Sequence, residues 1–135
     1  TRFVQGWVER RWSNGWALAV QATTGTTIMG PRASLAVDNE YSAASLHLSR
    51  STDGFDWGLR AETFDVRDRD GTADDTNDER GSALTLHASR AIGPPGWTVV
   101  AEASRINSDR PARRLLGLGE RRDETSLSVA LRHDF

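Results

Sequence analysis

Apolar and polar side chains alternate with a period of two along most of the chain. Ala44, Leu46 and Leu48 alternate with Ser45, His47 and Ser49, and Phe55, Trp57, Leu59 and Ala61 with Asp56, Gly58, Arg60 and Glu62. Leu84, Leu86 and Ala88 alternate with Thr85, His87 and Ser89; Trp97, Val99, Ala101 and Ala103 do so less cleanly with Thr98, Val100, Glu102 and Ser104. At the end Leu127, Val129, Leu131 and Phe135 alternate with Ser126, Ser128, Ala130, Arg132 and Asp134. Successive strand residues point to opposite faces, so this pattern predicts strands with one apolar and one polar face. Trp16, Leu18, Val20 and Ala22 form another, interleaved with small Ala17 and Ala19, and Phe3 to Trp12 forms a strand whose facing the pattern leaves open. The expectation is an all-β antiparallel meander of seven strands at about 2–12, 15–23, 41–51, 55–65, 81–91, 97–106 and 124–135, within one unit spanning 1–135.

The connections come in two alternating sizes. Short turns fall at Ser13-Asn14-Gly15, Ser51 to Gly54 and Gly93-Pro94-Pro95-Gly96, and long ones at about 24–40, 66–80 and 107–123. An internal echo runs at an offset of 40: Leu46, His47, Ser49, Arg50, Trp57, Ala61 and Glu62 recur as Leu86, His87, Ser89, Arg90, Trp97, Ala101 and Glu102. Duplication and one repeated environment explain it equally well.

Composition narrows the classes. With 17 basic and 19 acidic side chains the net charge is near zero, which gives no reason to expect a nucleic-acid partner. Every basic residue is Arg, and the absence of cysteine excludes disulfides and thiolate metal sites. The longest apolar run, Trp16 to Val20, is far below the roughly 20 residues of a spanning helix. A barrel strand needs only about 9 to 11 residues, so the hydropathy fits a membrane barrel as well as a water-exposed sheet.

Short turns alternating with long loops is the pattern of a membrane barrel. Trp12, Trp16, Phe55, Trp57 and Trp97 gather at the short-turn ends, where an aromatic girdle at a lipid–water boundary would place them. The terminal segment carrying Leu127, Val129, Leu131 and Phe135 resembles the C-terminal strand of bacterial outer-membrane barrels, whose alternate apolar residues and final aromatic residue are an assembly signal; His133 departs from that pattern. The stretch from about Glu79 onward, especially Trp97 to Arg113, is loosely similar to phosphate-selective porins. The resemblance implies the C-terminal part of a transmembrane porin-type barrel in the bacterial outer membrane, passing small hydrophilic solutes by diffusion. It also implies outer-membrane lipids, lipopolysaccharide and the barrel assembly machinery as partners, and is compatible with a homo-oligomer. The alternative is a non-channel structural or binding module, either a plugged membrane barrel or a soluble all-β domain.

On the barrel reading His47, Arg60, Glu62, His87, Glu102 and Arg132 line the pore, and Arg50 and Arg90 face outward beside turns. The mixed signs imply no strong preference for one ion charge. Seven is an odd number where bacterial barrels have even ones, so at least one strand is expected before Thr1, with first and last strands that do not pair. The loop Asp65 to Glu79, with Asp68, Asp70, Asp74, Asp75 and Asp78, lacks EF-hand spacing and reads as a solvated acidic loop. Arg110, Arg113, Arg114, Arg121 and Arg122 either attract anions or are simply hydrated. No catalytic motif is present, and no cofactor or metal is expected. His47 and His87 lie on strands separated by a third, about 9.6 Å apart, which makes a shared ion improbable.

Overall fold

The computed structural model describes residues 2–29, 37–69, 78–93 and 95–133. Phe135, Asp70, Asp74 and Asp75 lie outside the described residues. The described chain is a single sheet of seven antiparallel strands, β1 (Arg2–Arg11), β2 (Trp16–Met29), β3 (Val37–Thr52), β4 (Phe55–Asp68), β5 (Glu79–Ala91), β6 (Trp97–Asp109) and β7 (Arg121–His133). Each pairs with its neighbour in sequence, in the order β1-β2-β3-β4-β5-β6-β7.

The short turns share one end of the sheet and the long connections the other. At the first turn the Trp12 N–H donates to the Trp16 carbonyl (2.9 Å), and at the second Thr52 stands opposite Phe55 with only Asp53 and Gly54 between them. The third is two residues longer, closed by the Ile92 N–H donating to the Trp97 carbonyl at 3.0 Å. The extra length shifts the pairing of the two echoing hairpins by one pleat. Arg50 is opposite Trp57 but Arg90 is opposite Val99, and His47 is opposite Arg60 but His87 is opposite Glu102.

The strands run further toward the long connections than alternation predicts: β2 ends at Met29 rather than near 23, and β3 begins at Val37 rather than 41. One face there is polar on both counts. Proceeding from the short turns, the rows on that face read Leu18-Leu48-Leu59-Leu86-Ala103-Leu127, then Val20-Leu46-Ala61-Leu84-Arg105-Thr125, then Ala22-Ala44-Thr63-Ser82-Asn107-Asp123. The apolar band therefore occupies only the half of the sheet nearest the short turns. Register also settles β1, since Val8 lies opposite Val20 on the apolar face while Trp7 lies opposite Gln21 on the polar one.

Among the described residues no hydrophobic side chain is buried; Leu46 is 48% exposed, Leu86 49% and Leu127 76%. Among the described residues no second layer packs on the sheet. Polar-face residues in the central strands are half-buried among their own neighbours, while the alternate apolar-face residues of β5 are exposed up to Leu86.

Closure into a barrel is the expectation that fails. A barrel exists only when its first and last strands pair and abolish the edges. Here β1 pairs only with β2 and β7 only with β6, so the sheet is open and encloses no lumen. The two end strands are unpaired with each other, as the odd strand number implies. The porin-type channel and the outer-membrane location rested on a barrel wall and fall with it. The same correction applies to the outer-membrane lipids, lipopolysaccharide, assembly machinery, diffusing solutes and homo-oligomer expected as partners. No helix among the described residues is long and apolar enough to cross a membrane.

Candidate functional site

Strand parity places all six residues expected to line a pore, His47, Arg60, Glu62, His87, Glu102 and Arg132, on the polar face. His47 is opposite Arg60, His87 opposite Glu102, Glu62 opposite Ser45 and Arg132 opposite Thr98. With no lumen they form a mixed-charge array rather than a channel lining. Arg60 donates to the Glu62 carboxylate two residues along β4, and Arg11 to Glu9 on β1.

At the centre of the array His47 and His87 meet. Strand spacing correctly separates their backbones by the width of β4, but the residue of β4 between them is Gly58, which is buried. With no side chain rising there, both imidazoles lean over the glycine. Their ring centroids lie 5.2 Å apart with planes tilted by 47°. A Cβ on Gly58 would sit 2.6 Å from His47 Nε2 and 2.9 Å from His87 Nε2. Nothing else could occupy position 58 without displacing both rings.

His47 Nε2 is buried without a hydrogen-bond partner. Burial, then the neighbouring His87 and Arg60, hold the His47 imidazolium pKa below its ordinary value, while Glu9 opposes weakly. The array thus keeps His47 biased toward the neutral form, with a lone pair on one ring nitrogen. A hollow of about 350 Å³ adjoins the pair at the short-turn end, bounded by Glu9, Arg11, Ala19, Asp56 and both histidines. The small Ala17 and Ala19 on β2 leave it open.

The five aromatic residues expected to form a girdle gather on the other face, at the same end. Trp16 and Trp57 flank Arg50 in one row and meet edge to face at 5.4 Å and 83°, with the Arg50 guanidinium 5.4 Å from the Trp16 ring. The Arg10 guanidinium lies 5.4 Å from the Trp12 ring, and the Trp97 ring is 4.5 Å from that of His133. Phe55, opposite Arg90, completes the expected set. Leu127, Val129 and Leu131 lie on this face opposite Ala103, Ala101 and Val99, on an edge strand.

The far end is organised by an arginine that composition alone does not single out. After β6 the chain makes a 3-10 turn, Pro111–Leu116, ended by Gly117 in the left-handed region (φ 69°). Arg113 from that turn donates to Ser108 Oγ (3.1 Å), Glu79 Oε1 (3.3 Å) and the Glu120 carbonyl (3.1 Å). Its side chain is only 14% exposed, and Ser108 beneath it is 1% exposed. Arg110 pairs with Glu79, Arg114 with Glu120 and Arg122 with Glu124. Four of the five arginines of this cluster are internally paired, and of these Arg114 and Arg122 remain more than half exposed.

Among the described residues no group of three or more His, Asp or Glu is placed to hold a metal ion. No protein-family model, no curated protein and no solved structure matches the chain. The likeness to porins and to the outer-membrane assembly signal therefore has no support beyond the short motifs that suggested it.

Proposed function

We propose that the chain is a non-channel structural and binding module: an open sheet that holds an ordered array of polar side chains on one face. The observation that carries the reading is the pairing of β1 and β7 on one side only, which leaves the polar face open rather than wrapped around a pore. The binding part falls to His47, Arg60, Glu62, His87 and Glu102, whose register fixes both signs of charge and two imidazoles within a few strands. Rigid strands hold such groups more accurately than loops do. Arg132, opposite Thr98 on β7, extends the array toward the sheet edge.

Electrical recording tests the reading. The purified chain added to a planar lipid bilayer is expected to give no stepwise conductance. Conductance steps whose size changes when Arg60 or Glu62 is replaced by Ala would show a pore lined by these residues and overturn the proposal.

A further inference from the structure

We propose that His47 and His87 together hold one divalent first-row transition-metal ion above Gly58. Three observations converge on this point. The two imidazoles come from strands that do not touch, yet their rings lie 5.2 Å apart. Both Nε2 atoms surround the position of the absent glycine Cβ, at 2.6 and 2.9 Å. His47 Nε2 is buried without a partner, and a bound cation would be that partner.

Bonds from imidazole nitrogen to zinc are about 2.0–2.1 Å. Two nitrogens bound to one ion at that distance stand no more than about 4.2 Å apart, so binding includes rotation of the two rings about their side-chain bonds toward a common point above the notch. Imidazole donors suit Zn²⁺, Cu²⁺ or Ni²⁺ and not Mg²⁺ or Ca²⁺, which take oxygen ligands. With two protein donors and no third His, Asp or Glu placed beside them among the described residues, water must complete the coordination shell. Such an ion would keep positions open to an exchanging ligand, unlike a closed four-donor structural site. The site stands on the polar face, so it holds or fails independently of the channel question.

The sequence makes the test clean, because the chain has three histidines and no cysteine. The third, His133, lies beside Trp97 on the opposite face. Purified chain stripped with a chelator would be titrated with Cu²⁺, and the bound ion examined by electron paramagnetic resonance. One ion per chain with two coordinating nitrogens is expected. His47→Ala or His87→Ala should each weaken binding at least tenfold, and Gly58→Ala should weaken it by filling the notch. His133→Ala should leave it unchanged. No saturable binding, or a spectrum with fewer than two nitrogens in the unaltered chain, would overturn the proposal without recourse to any variant. Affinity that survives both His47→Ala and His87→Ala, or falls equally in His133→Ala, would overturn it as well.

Discussion

At the scale of single residues, two glycines act through what cannot stand in their place. A Cβ on Gly81 would come within 2.5 Å of the Asn107 carbonyl oxygen and of Phe64 Cζ, and 2.9 Å of Ser108 Cβ. Backbone cannot yield as a side-chain tip can, so Gly81→Ala should cost about 1–3 kcal/mol in denaturant unfolding. Gly58→Ala should cost less, because the atoms in its way belong to two imidazoles that can swing aside. Equal losses at the two sites would mean that the rings over Gly58 are as fixed as the backbone at Gly81. Charge pairing on the last two strands is open to a separate check. Arg105 donates two hydrogen bonds to Asp123 across the β6–β7 pair (3.0 and 2.6 Å), and this holds the Asp123 carboxyl below its ordinary pKa. A depressed carboxylate contributes stability that is present above the ordinary value of 3.8 and is lost as pH falls through the folded value. Carbon-detected NMR should find the Asp123 midpoint below 3.8, and Arg105→Gln should raise it. A midpoint at or above 3.8 in the unaltered chain would mean that the pair does not form.

At the scale of elements, the 3-10 turn between β6 and β7 hangs on Arg113. Replacing Arg113 with Ala removes three hydrogen bonds and leaves Ser108 and Glu79 without that partner. The expected cost is about 1–3 kcal/mol, and the Gly117 and Leu118 amides, bonded to the Arg114 and Arg113 carbonyls, should exchange hydrogen faster. Unchanged exchange there would show that the turn stands without its anchor. The strands themselves were legible because alternation of Leu, Trp and Ala with polar residues reports pleat and facing together. Their far ends were not, since Thr24, Asp65, Arg80 and Asp109 put polar side chains on the face that is apolar elsewhere, and the period vanishes from the sequence although the pairing continues. The facing of the six polar-face residues was legible for the same reason. The meeting of His47 and His87 was not: strand spacing measures backbones, and only the empty position at Gly58 lets the rings cross the gap. Arg113 was hidden among five arginines of identical chemistry, distinguished only by where the turn aims it.

At the scale of the whole molecule, the described sheet has no core, and this sets what its leucines contribute. Leu46→Ala in a packed interior would cost about 2–5 kcal/mol. With Leu46 48% exposed on an uncovered face, the loss in the isolated chain should be below about 1 kcal/mol, measured by chemical denaturation. A cost in the core range would mean that something covers this face in solution. Two further liabilities follow from the open order. The edges β1 and β7 present unpaired backbone groups, and charged residues stand on both: Arg2, Glu9, Arg10 and Arg11 on one, Arg121 to Glu124 and Arg132 on the other. Charges on an edge discourage indiscriminate strand addition.

The longer third turn changes what repetition means in this chain. Two stretches forty residues apart share seven of seventeen residues with no insertion between them, yet the third turn takes up four residues where the second takes up two, which slides one copy along its partner without turning it over. Facing survives and neighbours do not, so one histidine is set against a cation and its twin against an anion. Recurrence in one register would have produced two like sites; recurrence with a phase slip yields two unlike halves able to serve a single one. Replacing residues 93–96 with the Asp53-Gly54-Phe55-Asp56 sequence of the second turn, at unchanged length, should restore the phase, placing Trp97 opposite Arg90 and Val100 opposite His87, and cross-strand nuclear Overhauser contacts would report whether the copies then become equivalent.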